Sequence, residues 1–142
     1  MNLLGDILAF NPKKIFIAAN KISIIYKLNR VLNYERYCDF YISPIDNFII
    51  DKINGAKPNI LLLEVDCLQN KFFPNLTIIN DMAKLVPTIV ISVSSLPGLQ
   101  DKIIQTACIG LLPQEDIGIN LNRKIKEIWQ INKFINQIKR EV

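Results

Sequence analysis

The chain has 142 residues, enough for one domain with its own core and no covalent staples. Half of the residues are apolar and the net charge is +4, a mild balance that points to no particular polyanion. There is no histidine, which excludes His-based acid/base catalysis, Ser-His and Cys-His dyads, His metal sites and phosphohistidine carriage. No apolar run reaches the ~18–20 residues of a membrane span. Met1–Phe10 is interrupted by Asp6 and lacks a basic flank, so no signal peptide is expected. Cys38, Cys67 and Cys108 are odd in number, far apart and form no C-x-x-C. They read as reduced, buried thiols, and the chain as a cytoplasmic protein.

In chain order, residues 1–12 carry Leu3, Leu4, Ile7 and Leu8 at helical spacing and read as a short helix or arm. One domain is expected over residues 13–142. Lys14–Ala18 reads as a strand. Asn20–Leu32 reads as an amphipathic helix on Ile22, Ile25, Leu28 and Leu32. Cys38–Ile42 is a second strand, broken by Ser43-Pro44. Asp46 is placed to cap a helix through Lys52 that ends near Gly55. Ile60–Leu63 is an unbroken apolar run, as a parallel strand covered on both faces requires, and it runs into Glu64 and Asp66. Leu76–Leu85 is a helix stopped by Pro87. Thr88–Val93 is a fourth strand, Leu99–Ala107 a helix, Ile109–Leu112 a fifth strand and Asn120–Arg140 a long final helix.

Strand and helix thus alternate five times with short connections. That predicts an α/β fold with a doubly wound parallel sheet. Neither G-x-G-x-x-G nor G-x-x-x-x-G-K-[ST] occurs, so nothing suggests a dinucleotide or nucleoside triphosphate site, and no cofactor is expected. In such sheets the chemistry lies outside the carboxyl ends of the strands, which draws attention to Glu64.

Four segments carry a resemblance. They are KIFIAANKISIIYKLNRVL from Lys14, KPNILLLE from Lys57, TIVISVS from Thr88 and ACIGLLPQED from Ala107. In this order and spacing they resemble the receiver domain of two-component response regulators, most of all the LuxR/NarL type. The resemblance runs from Lys14 to Trp129. It implies a flavodoxin-like, CheY-like sheet of five parallel strands in the order 2-1-3-4-5, with the C-terminal helix extended beyond it. It also implies a response-regulator role in signal transduction, with no enzyme activity of its own.

The resemblance further implies which positions would carry phosphotransfer. The two acids that hold Mg²⁺ in receivers fall on Ala19 and Asn20. The phosphoryl-accepting Asp falls on Glu64 and the switch hydroxyl on Ser92. The Lys after the fifth strand falls on Gln114, or on Pro113 with a one-residue slip, and the aromatic switch residue on Leu111 or Gly110. Mg²⁺ wants carboxylate oxygens, Ala19 offers none and Asn20 one neutral oxygen. The missing Lys removes a second positive charge. A Glu carboxylate protrudes by ~1.5 Å more than an Asp one and misplaces in-line attack. The expectation is a degenerate pseudo-receiver with no metal and no phosphotransfer. Glu64 then has two readings: a fixed mimic of the phosphorylated state, or a drifted, solvent-facing acid. A Lys21–Glu64 ion pair is expected to be worth ~0–1 kcal/mol. Asp66 is the competing acceptor, if the strand shifts by two residues.

Receivers signal through their fourth helix, fifth strand and fifth helix. That implies a contact face around Ile103, Ile104, Leu111 and Ile128. Beyond Trp129 the final helix continues with Ile131, Ile135 and Ile138, flanked by Phe134, at the spacing of a seam for another helix. A protein partner and a homodimer through this helix are expected; the alternative is that the overhang packs on the chain's own N-terminal arm. The Lys and Arg residues off the seam read as a solvated face without interleaved aromatics. No reader domain follows residue 142 in this sequence, so neither direct nucleic-acid binding nor membrane contact is expected. The alternatives are a small-molecule or anion sensor built on Asn20, Lys21, Glu64, Asp66 and Ser92, and a residual phosphoacceptor regulator.

Overall fold

The structure is a computed structural model that describes residues 14–34, 39–65, 76–92 and 110–141. Its strands are β1 (Lys14–Ala18), β2 (Asp39–Ser43), β3 (Ile60–Val65), β4 (Thr88–Ser92) and β5 (Gly110–Pro113). Its helices are α1 (Ile22–Tyr34), α2 (Ile49–Ala56), α3 (Leu76–Leu85) and α4 (Ile117–Glu141), the last preceded by a 3-10 turn at Gln114–Asp116. The strands form one parallel sheet in the order β2-β1-β3-β4-β5, the order expected.

Side-chain alternation along the strands divides the core in two. Ile15, Ile17, Ile60, Leu62, Ile89, Ile91 and Leu112 pack under α1 and α4. Phe16, Ala18, Leu61, Leu63, Val65 and Val90 pack under α2 and α3. All six residues of β3 are buried, because the central strand is covered on both faces. The amino ends of β1 and β3 are stitched by a reciprocal pair: the Lys14 N–H donates to Asn59 Oδ1 at 2.8 Å, and the Asn59 N–H to the Lys14 carbonyl at 2.9 Å. The outer strands are short. β2 is mostly exposed and is followed at once by Pro44, and β5 ends on Pro113.

The structure corrects the expected elements in three places. The stripe of α1 that meets the sheet is Ile24, Leu28 and Leu32; Ile22 is 82% exposed. A 3–3–4 spacing admits two overlapping stripes, and the sheet selects the one starting at Ile24. The helix expected from Asp46 begins at Ile49, because Asp46 makes a turn instead, its Oδ1 accepting the Phe48 N–H at 2.9 Å. That helix ends near Gly55 as expected, its last residue being Ala56. The left-handed residue at its end is Lys57, with φ 49°, whose N–H donates to the Ile53 carbonyl. The final helix starts at Ile117, not Asn120, and buries Ile117 with Leu121, Ile125 and Ile128. The 1–12 arm, the 99–107 helix with Ile103 and Ile104, Asp66 and the three cysteines lie outside the described residues.

Gly55 therefore sits inside a helix, with open space where a Cβ would be, while a lysine holds the left-handed position. Gly55→Ala should raise stability by roughly 0.5–1 kcal/mol, and Lys57→Gly by about 1 kcal/mol. Urea unfolding should show both as higher midpoints at unchanged slope. A destabilised Gly55→Ala would place position 55 at the helix end after all.

Candidate functional site

The site lies at the carboxyl ends of β1 and β3. Residues Ala19 to Lys21 turn the chain from β1 into α1, and the Lys21 carbonyl accepts the first bonds of that helix, from Ile24 and Ile25. Ala19 is fully buried, and its N–H donates to the Ser43 carbonyl of β2. Glu64 comes up from β3 beside this turn. It is 6% exposed, not the solvent-facing acid of one expected reading. Its Oε2 accepts two backbone N–H groups, those of Asn20 and of Lys21, the latter at 3.0 Å. The expected Lys21–Glu64 ion pair is absent among the described residues. The lysine contributes its backbone N–H, and its side chain stands in solvent. The carboxylate sits where the α1 macrodipole and unpaired N–H groups favour negative charge.

Asn20 completes the arrangement. Its Oδ1 accepts the N–H of buried Ile45 at 2.8 Å, tying the β1–α1 turn to the loop after β2. The neutral oxygen that a metal could have used is therefore committed to the backbone. Nearby, Lys52 Nζ donates to Asp46 Oδ2 at 3.0 Å and to Ser43 Oγ at 3.3 Å. The Lys52 hydrogen bond, together with the Phe48 N–H, holds the Asp46 carboxyl below its ordinary range. Neither the Ile45 contact nor the Ser43–Lys52–Asp46 chain was foreseen from the residues. The Ser-Pro-Ile-Asp-Asn run could have signalled the Asp46 turn.

The remaining expected site residues lie apart from Glu64. Ser92 is buried at the end of β4, in register with Val65 and Pro113, and Glu64 pairs with Ile91. Strand alternation thus sends Ser92 and Glu64 to opposite faces of the sheet. Gln114 opens the turn after β5 and lines a groove between α1 and α4. Leu111 is half-buried against the core under α2 and α3.

Among the described residues the positions expected to hold Mg²⁺ offer a single carboxylate, Glu64. Ala19 has no donor, Asn20 Oδ1 is held by Ile45, and Glu64 Oε2 is held by two N–H groups. Among the described residues no three acidic or Cys side chains gather. No helix among them is long and apolar enough to cross a membrane.

No family model matches this chain, and no curated protein matches it. Solved structures match it in shape. The non-phosphorylated receiver domain of the stress response regulator RcsB from Escherichia coli is 12% identical, covering 80% of this chain and 89% of its own, with TM-score 0.66. The N-terminal domain of a response regulator/sensory box/GGDEF 3-domain protein from Carboxydothermus hydrogenoformans is 15% identical, covering 85% and 97%, with TM-score 0.67. RcsB from Salmonella enterica serovar Typhimurium, bound to promoter rprA in the presence of the phosphomimetic BeF3-, is 11% identical, covering 90% and 67%, with TM-score 0.72. The fold is the CheY-like, flavodoxin-like fold of receiver domains.

Removing the Glu64 carboxylate leaves two N–H groups at the start of α1 without an acceptor. Glu64→Ala should cost about 1–3 kcal/mol and Asn20→Ala about 1 kcal/mol in urea unfolding. Glu64→Gln, which keeps an acceptor oxygen, should recover most of the loss. Equal stability of Glu64→Ala and wild type would show that these bonds do not hold the turn.

Proposed function

We propose that this chain is a phosphorylation-independent, receiver-like signalling module that acts by binding another protein, in a regulatory pathway such as transcriptional control. One observation carries the reading. The carboxylate at the position of the phosphoryl acceptor is already bonded to the backbone of the β1–α1 turn, and Asn20 beside it to Ile45. Glu64 supplies a permanent anion where a receiver would acquire one by phosphorylation, which favours the fixed-mimic reading over the drifted one. The same bonds argue against the anion-sensor alternative, since a second anion would meet the Glu64 charge.

Intact-mass spectrometry after incubation with Mg²⁺ and acetyl phosphate tests this, with Glu64→Asp and Asp66→Ala alongside. Wild-type protein should gain no phosphate. A phosphorylated wild type that loses the modification in Asp66→Ala would make the chain a working switch with a shifted acceptor.

The proposed contact face runs along the β5 side of α4. At 25 residues α4 spans about 37 Å, longer than the sheet it covers. Its buried stripe ends at Ile128 and continues as exposed Ile131, Phe134 and Ile138, with Ile135 between them in sequence. This spacing supports homodimerisation through the overhang. Sedimentation equilibrium should show a dimer that Ile131→Asp/Ile138→Asp converts to monomer at unchanged helix content. A wild-type monomer at high concentration would remove the dimer from the proposal.

A further inference from the structure

A second surface, remote from Glu64, carries a charge pattern of its own. α1 and α4 lie side by side under one face of the sheet and leave a groove of about 1210 Å³ between them. That exceeds the ~300–1,000 Å³ of small-molecule pockets and matches a length of chain better than a metabolite. Lys27 and Arg30, one turn apart, form one wall. Arg123 and Lys126, also one turn apart, form the other. Two carboxylates, Glu115 and Glu127, share the lining. Even so, none of the four cations makes an ion pair among the described residues, where the one ion pair is Lys52–Asp46. Each helix also brings an aliphatic side chain to the lining: half-buried Val31 from α1, and Ile119, 81% exposed, from α4.

We infer that this groove is the docking site for an acidic amphipathic helix of a partner protein. Cations on both walls, without an ion pair among the described residues, call for carboxylates on both flanks of the occupant. Val31 and exposed Ile119 in the lining call for aliphatic side chains between those flanks, the helix-in-groove mode of recognition. A nucleic acid fits less well. No Phe, Tyr or Trp lines the groove for base stacking, and the two glutamates would face phosphates. The inference does not depend on how Glu64 is read, because none of Ala19, Asn20, Lys21, Glu64 and Ser92 lines the groove.

The test uses the full chain and a fluorescein-labelled peptide of Glu and Leu with Leu at helical spacing. A scrambled peptide of equal composition and a single-stranded DNA serve as competing probes, read by fluorescence anisotropy. The helical peptide should bind saturably and more weakly at high salt. Arg123→Glu/Lys126→Glu should lower affinity at least about tenfold, as reversal of paired wall charges against carboxylates implies. Ile119→Ser should lower it several-fold, and Lys84→Glu, on α3, should leave it unchanged. The replaced side chains, Lys84, Ile119, Arg123 and Lys126, are all exposed, so circular dichroism should match wild type. Three results overturn the inference: no binding of the helical peptide, equal binding of the scrambled one, or an equal loss in Lys84→Glu. Tighter DNA binding, lost in Arg123→Glu/Lys126→Glu, makes the groove a nucleic-acid surface instead.

Discussion

The carboxyl end of this sheet depends on one buried charge finding donors. Glu64 belongs to β3, every residue of which is buried, and an acid there needs hydrogen bonds to offset its desolvation. The start of α1 supplies them, as two adjacent backbone N–H groups converging on one oxygen. Once that turn is fixed, the Asn20 side chain is aimed at the Ile45 N–H and ties down the loop after β2. Glu64 and Asn20 together thus link β3, the β1–α1 turn and the loop after β2.

The strands were legible because parallel strands covered on both faces leave long apolar runs, as Ile60–Leu63 and Thr88–Ile91 do. Their spatial order was not in the periodicity; it came with the receiver resemblance, and the sheet has that order. Helix faces were harder. Ile22, Ile24 and Ile25 follow so closely that spacing alone could not say which one meets the sheet. At the site, the missing groups at Ala19, Asn20 and Glu64 could be read from residue type. The bonding could not. An acid at a strand end looks solvated in sequence, and nothing in Lys21 says that its backbone, not its ammonium, will meet Glu64. Asp46 looked like a helix cap because Asp serves both caps and Asx turns, and local geometry decides between them.

The final helix has two characters along its length. Its first half is anchored by Ile117, Leu121, Ile125 and Ile128, and shows α1 a polar, charged flank. Its second half runs past the sheet with apolar side chains in solvent. The two proposed surfaces occupy successive lengths of one helix, the groove residues ending at Gln130 and the exposed apolar ones of the overhang beginning at Ile131.

The two outer strands bear on how copies of this chain can meet. A free strand edge is a row of unpaired donors and acceptors, and it can template another chain into a growing ladder. Here β2 has five residues and yields at once to Pro44, and β5 has four and closes on Pro113. Proline brings no N–H to a ladder, so each border is cut short where it would otherwise continue. Short borders closed by proline disfavour strand-to-strand growth, in which pairing is set by a backbone that any polypeptide could match.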